Sequence, residues 1–319
     1  MYTLGEITQK VALLAQRSND ADYTTKIHDW VNLSHDTVFK SYDYWQELQS
    51  LFTFSSVASQ EVYFLPSDFD KPFRLFDNTN NLKPTWITRE EYYDANISNI
   101  SSAQSGVPQN VMLYGAAAIS VIPSSSFTLQ AKSSSNSDNT GIIVRAEGWL
   151  DANKTILGYE DITINTGSPM TYATATVPTT FYGITRLTKS ADTTGYITIA
   201  NNSSAVLATI APNDRQSRYV NLYLGLIPAG IYSYTLMYKR TIKKLVDDND
   251  YPFMDCDDFL ILNAYGYALT QEKETAERAE QIWGKAKEQL MLLVRNSQDK
   301  AGPDFQHKMV PATSQAHRH

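Results

Sequence analysis

The two ends of this chain carry one kind of pattern and its middle another. Residues 1–112 and 238–300 are rich in Trp, Tyr and charged residues and hold long runs of helical period. Residues 116–236 are rich in Ser and Thr, sparse in charge, and break into many short alternating runs. That contrast points to an α+β chain in which an all-β unit interrupts an α-rich frame. A domain inserted at a loop tip adds a surface to an existing frame. The ends are therefore expected to define the protein, and the middle to define what it additionally touches.

Thr3-Leu4-Gly5-Glu6 has the T-x-x-E form of a capping box, and Leu4, Ile7, Val11 and Leu14 follow at helical spacing. Beyond the polar break Ser18-Asn19-Asp20, a second helix is expected. Its apolar stripe is Ile27, Val31, Val38, Trp45 and Leu48, with Ser34 completing the rhythm. The period then changes to two, predicting strands at 50–56, 61–65, 72–76 and 86–87. Thr88-Arg89-Glu90-Glu91 is a second capping box and opens a short helix, followed by a polar loop over 96–109 and a strand at 111–114. Toward the other end, Asp255 reads as the N-cap of a helix over 257–268. A further helix over 274–296 turns Ala279, Ile282, Trp283, Ala286, Leu290 and Leu293 inward.

The middle predicts strands at 118–122, 126–131, 142–150, 156–165, 181–187, 195–200, 206–210, 219–226 and 231–239. Turn signals recur at the short intervals of a β-sandwich, jelly-roll or Ig-like domain, and Ser133–Asp138 reads as a flexible tip. The expected organisation is an N-terminal frame (1–115), an inserted β-sandwich (116–236), C-terminal frame helices (237–300) and an extended arm (301–319). The frame contributes a small antiparallel sheet besides its helices.

Charge excludes one function class. The chain has 27 Lys and Arg against 34 Asp and Glu, a formal net charge of −7. Proteins that grip phosphates are basic, so tight nucleic-acid binding is not expected. The single cysteine, Cys256, can form neither an intrachain disulfide nor a thiolate-rich metal site. No stretch approaches the roughly 20 apolar residues of a membrane span. The first residues have no basic and apolar regions of a secretory signal, so synthesis in a cytoplasm is expected.

No constellation argues for catalysis, a cofactor or a metal. His28-Asp29 and His35-Asp36 sit seven residues apart on one helix, whereas ligation within a helix wants i, i+3 or i+4. They read as solvated or interface histidines. Asp247-Asp248-Asn249-Asp250 lacks the glycine and the closing Glu of an EF-hand loop and reads as an acidic turn before a helix. Glu147, Asp151, Glu160 and Asp161 lie on strands and turns of the insert. Glycosidase chemistry needs two such groups facing each other, and solvent-facing positions are the commoner case. Cys256 has no histidine near it in sequence to serve as a base and reads as a structural thiol. Neither a G-x-G-x-x-G nor a P-loop pattern occurs. The insert's aromatic residues Trp149, Tyr159, Tyr172, Phe181 and Tyr182 are expected in its core.

A series of short motifs in the frame follows a recognisable order. Leu4-Gly5-Glu6-Ile7 opens the first helix, Ile27, Trp30, Val31 and Asn32 lie on the next, and Trp45 and Leu48 follow. Then come Tyr63, Leu65-Pro66, Asp68-Phe69, Lys71-Pro72 and Arg74-Leu75. Tyr238-Lys239-Arg240, Leu245, Asp247-Asp248-Asn249-Asp250 and Pro252 precede the closing helices. This order resembles the head-to-tail adaptor (connector or neck) proteins of tailed bacteriophages, over about residues 1–115 and 236–300. The resemblance implies a non-enzymatic virion protein, made in the host cytoplasm. It implies a homo-oligomeric ring, typically of about twelve copies, between portal protein and tail or nozzle protein. Such a ring continues the DNA channel without sequence-specific binding and needs no membrane.

The arm would order on the portal or a neighbouring subunit through Asp304, Phe305, Gln306, His307, Lys308, Met309, Val310 and Arg318. The insert is expected to face outward. Its run Gly183–Ser190 with Thr194–Ile199 resembles β-sandwich modules on phage structural proteins. The competing reading is a carbohydrate-binding, decoration or receptor-binding phage protein. An exposed aromatic platform with adjacent polar groups on the insert would favour it.

Overall fold

The computed structural model describes residues 1–17, 21–96, 105–212, 214–271 and 276–300. It is a mixed α+β structure with five helices among those residues, several small antiparallel sheets and no closed barrel. The described residues pack as two compact units, those within 1–49 and 241–319 and those within 50–240.

The first unit is helical: α1 (Leu4–Leu14), α2 (Ala21–Ser41), α4 (Asp257–Thr270) and α5 (Ala276–Lys300). The short α3 (Arg89–Asn96) belongs to the second unit. Leu4, Ile7 and Val11 of α1 and Ile27, Val31 and Val38 of α2 are fully buried. Leu14, placed on that stripe by spacing, is instead exposed at the helix end. The stripe of α2 does not continue as helix to Leu48. The helix stops at Ser41, and Trp45 turns back so that its indole N–H donates to the Val38 carbonyl at 3.0 Å. That bond occupies one of the last orphan carbonyls of the helix. α4 packs against the other three helices. Its N-cap is Cys256, one residue past Asp255, and that cap makes no side-chain bond. Gly266 faces the Trp283 indole of α5, where a Cβ would come within 2.3 Å of Nε1. Ala279 and Ala286 are buried, and Ile282, Trp283, Leu290 and Leu293 partly so, as their spacing predicts. α5 runs on to Lys300 rather than fading near Asn296.

Among the described residues the second unit holds fifteen strands. Those flanking the middle are β1 (Gln49–Ser55), β2 (Val62–Phe64), β3 (Phe69–Asp77), β4 (Thr85–Trp86), β5 (Ser105–Gly106) and β6 (Asn110–Ala117). The middle adds β7 (Leu129–Ser133), β8 (Ile143–Trp149), β9 (Leu157–Thr163), β10 (Gly183–Lys189), β11 (Ile197–Asn201) and β12 (Val206–Ile210). β13 (Tyr219–Gly225), β14 (Ile227–Pro228) and β15 (Ser233–Arg240) close the unit.

The sheets have orders β1-β15-β3, β2-β13-β6-β4, β10-β8-β9 and β12-β11-β7, with β14 paired to β5. The β4–β6 and β14–β5 pairs are parallel. Residues 118–122, read as a strand, are irregular. Ser120 gives its N–H and hydroxyl to the Leu207 carbonyl, and Pro123 offers no donor to extend a ladder. Two hydrophobic cores serve this unit. One gathers Tyr63, Leu65, Leu75, Leu222, Tyr234 and Leu236. The other draws all its buried residues from 118–219 and is shared by the β10-β8-β9 and β12-β11-β7 sheets.

Candidate functional site

The frame motifs meet at two joints. In the helical unit, α1 begins with the capping box its sequence predicts: Thr3 Oγ1 accepts from Glu6 N–H, and a Glu6 carboxylate oxygen accepts from Thr3 N–H. The remaining orphan donors of α1 find the acidic turn. Leu4 N–H donates to the Asp250 carbonyl at 2.8 Å and Gly5 N–H to the Asp248 carbonyl at 2.9 Å. The turn itself is closed by the Asp250 carboxylate, which accepts from the N–H groups of Val246 and Asp247 at 2.8 and 3.1 Å. Burial would raise the Asp250 pKa, but those two donors and Lys243 hold it below the usual carboxylate value. Asn32 of α2 clamps the same segment from the other side, donating to the Leu245 carbonyl at 2.8 Å and accepting from Leu245 N–H at 2.9 Å. The Asp247–Asp250 run therefore serves α1, whose N-terminus it covers. Sequence spacing assigned it to the following helix.

The second joint is in the sheet unit. β3 and β15 pair with Phe69 opposite Arg240, Lys71 opposite Lys239 and Pro72 opposite Tyr238. The Tyr238 hydroxyl donates to Asp68 at 3.0 Å, and its ring stacks on Phe69 with centroids 5.6 Å apart. The Tyr63 hydroxyl donates to the Gln60 carbonyl and accepts from Val57 N–H, both at 2.9 Å. Two motifs far apart in sequence are thus one antiparallel pair, with the register shifting between Met237 and Tyr238 and between Lys239 and Arg240.

The residues weighed for chemistry are occupied structurally. His35 is buried, not solvated. Its Nε2 accepts from Phe253 N–H at 3.2 Å, and burial pushes the imidazole down to about 4 against the pull of Asp36. His28 lies 3.5 Å from Asp248. Cys256 is buried, and burial raises its thiol pKa, with Asp257 and Asp255 adding to it. That is the opposite of an activated nucleophile.

Among the insert carboxylates, Asp161 takes a bidentate Arg145 at 2.8 and 2.7 Å, which lowers its pKa. Asp151 accepts from Ile156 and Thr155 N–H in a turn. Glu160 points inward, accepts from Thr179 N–H at 2.6 Å, and has its pKa raised by burial. Glu147 faces out beside Arg186 at 3.8 Å. Glu160 and Asp161 are neighbours on opposite faces of β9, so they share no cleft. Among the described residues no cluster of three or more His, Cys, Asp or Glu is placed to hold a metal. No helix among them is long and apolar enough to cross a membrane.

Two expectations for the insert change, and one buried group is new. Of Trp149, Tyr159, Tyr172, Phe181 and Tyr182, Phe181 alone is core. Trp149 and Tyr172 are half-buried, Tyr182 is exposed and Tyr159 is 64% exposed. The Ser133–Asp138 segment is an anchored turn, not a free tip. Buried Asp138 accepts from Ser133 Oγ and from the N–H groups of Thr194 and Gly195. Lys189, at the end of β10, is buried with its ammonium on Thr193 Oγ1 and the carbonyls of Ala211 and Pro212. Nothing in the sequence marks that lysine, because its acceptors come from a separate loop. The arm residues Asp304, Phe305, Gln306, His307, Lys308, Met309, Val310 and Arg318 lie outside the described residues.

Comparison with known proteins gives one informative match. The family model described as SU10 adaptor protein matches residues 2–136. That span holds α1, α2 and the Tyr63–Leu75 motif but not Tyr238–Arg240, the acidic turn or the closing helices. No curated protein sequence matches the chain. Among solved structures, arcelin-5, a lectin-like defence protein from Phaseolus vulgaris, is 8% identical, covers 60% of this chain and 99% of its own, and has a TM-score of 0.10. A likeness that low carries no argument. The adaptor match, which holds one partner of each of the two joints, supports a phage structural protein of adaptor type.

Proposed function

We propose that this chain is a head-to-tail adaptor, assembling as a ring of about twelve copies between portal and tail and continuing the DNA channel. The observation that carries the reading is the adaptor-family match over residues 2–136. Two properties of the molecule suit it. The helical unit leaves Leu13, Leu14, Leu33, Met291 and Leu292 exposed, apolar area that lateral subunit contacts would cover. The net charge of −7 suits a channel past which DNA slides without being gripped. In this reading residues 116–236 form a separate inserted sandwich, its two three-stranded sheets packed over the shared core, facing outward as a second contact surface. The arm from Asp304 to Val310, with Arg318, orders on the portal or on a neighbouring subunit. The protein acts as a structural part and not as an enzyme.

Native mass measurement with negative-stain imaging tests the assembly. A closed ring of about twelve copies is the expected result, and a monomer or a trimeric rod at micromolar concentration overturns it. A variant ending at residue 300 separates the arm from the ring. It should still close rings and lose portal binding. Undiminished portal binding removes the arm from the interface.

A further inference from the structure

The outward face of the β10-β8-β9 sheet is an ordered aromatic and polar platform. Strand register places Leu157 beside Trp149 and Gly183 in one row, Tyr159 beside Glu147 and Arg186 in the next, and Asp161 beside Arg145 and Thr188 in the third. Tyr159 and Leu157 are 64% and 61% exposed. The Arg145 guanidinium lies 4.8 Å from the Tyr159 ring centroid while holding Asp161 in a two-point pair. Tyr159 is thus oriented by a neighbour that is itself fixed. Inward neighbours Val144, Ala146 and Ile162 are fully buried, so the strands beneath are anchored.

We propose that this face binds a short neutral oligosaccharide, with Tyr159 and Trp149 stacking on the apolar C–H faces of the sugar rings and the two charged pairs meeting its hydroxyls. Three features choose that occupant over a protein. The first is size: three strands of seven residues present about 23 by 14 Å, roughly 330 Å². A stable protein interface takes about 800 Å² from each partner. The second is charge placement, since Glu147, Arg186, Arg145 and Asp161 occupy the centre of the face, where protein interfaces are depleted in acidic side chains. The third is the hydrogen-bonding balance. The four charges sum to zero, and the Arg145–Asp161 pair keeps free donors on the guanidinium and free acceptors on the carboxylate. Hydroxyls, which donate and accept at once, match donors and acceptors set side by side. The inference does not depend on ring assembly.

The test titrates the full-length protein with maltotetraose, cellotetraose and tetra-N-acetylchitotetraose, read by calorimetry and by tryptophan emission. Saturable binding of at least one is expected. Tyr159→Ala should weaken it about tenfold or more, and Tyr159→Phe, which keeps the ring, should stay within about twofold. Arg145→Ala should weaken it too, by loosening both Tyr159 and Asp161. Unchanged circular dichroism in Tyr159→Ala shows that the exposed substitution leaves the fold intact. Absence of binding by all three sugars up to about 10 mM overturns the proposal. So does equal affinity in Tyr159→Ala, or protection of residues 157–161 from hydrogen exchange by self-association without sugar.

Discussion

The helical unit and the core of residues 118–219 hold themselves together by different means. The helical core is rich in rings, with Tyr23, Trp45, Phe259 and Tyr265 buried, and its turns are pinned by particular side chains such as Asn32, His35 and Asp250. The other core is mainly aliphatic and alanine, with Ile142, Val144, Ala146, Ile162, Ile197 and Ile199 around Phe127 and Phe181. A helix end exposes four unpaired groups that specific residues must satisfy. A strand pairs its backbone through the ladder whatever its side chains are. Positions in the helical unit are therefore specified individually, whereas the sheets constrain mainly alternation and volume. The difference can be broken at one matched pair of residues. Trp45 and Phe181 are both fully buried. Trp45→Ala and Phe181→Ala should each cost about 3–5 kcal/mol, the largest effects expected here. Chemical denaturation checks this. Trp45→Ala should cost the more, because it also removes the indole donor from the Val38 carbonyl, which keeps only the Ser41 hydroxyl. Equal losses would mean that the pinned turns add nothing beyond burial.

Titration sharpens the comparison, because each region buries a basic group whose lowered pKa makes stability rise with pH, but in a different pH window. His35 is held near 4 by burial, below its unfolded value of 6.5. The unfolded chain binds the extra proton first, so stability is full above pH 6.5 and falls as pH drops toward 4. The loss reaches about 3 kcal/mol. Lys189 is lowered from 10.5 to about 8, chiefly by burial, with Asp192, Asp214 and Asp138 opposing. Between pH 8 and 10.5 the unfolded chain again holds more protons, so this group makes stability rise with pH in that window. Thermal denaturation of His35→Leu should lack the acid-side loss from this group, and Lys189→Met the alkaline-side gain. An unchanged acid limb in His35→Leu would show that the imidazole is charged in the native state.

Much of the fold was legible because its signals are local. Both capping boxes, the inward faces of the closing helices and nearly all strands follow from spacing within a few residues. What was missed depends on partners distant in sequence. Asp248 and Asp250 look like a helix-flanking acidic run, yet their carbonyls cap a helix that begins with Leu4. Asp138 sits in a serine-rich stretch that reads as flexible, and only the nearby Thr194 and Gly195 backbone reveals its role. The insert aromatics illustrate a limit of composition. Tyr159 and Phe181 are equally apolar in a count, but register sends one outward and one inward. The adaptor motifs were readable as an order of residues. Why that order matters, as two joints each closed by the other end of the chain, required the structure.

The smallest effect expected is at Gly5, and its sign separates the two kinds of region most cleanly. Alanine is the better helix former by about 1 kcal/mol, so on an ordinary first turn Gly5→Ala would stabilise. Here an added Cβ would sit 2.9 Å from Asp248 Cβ and 3.1 Å from the Asp248 carbonyl oxygen, the oxygen that accepts the Gly5 N–H. Neither atom is the free end of a side chain, so relief requires moving the turn and lengthening that hydrogen bond. We expect net destabilisation of about 1–2 kcal/mol, read from the denaturation midpoint. The double substitution Gly5→Ala with Asp248→Gly removes the Cβ that is hit first and should regain part of the loss, although it also frees the turn backbone. A stabilising Gly5→Ala would mean that the joint between the first helix and the acidic turn yields freely. The helical unit would then tolerate side-chain change as the sheets do.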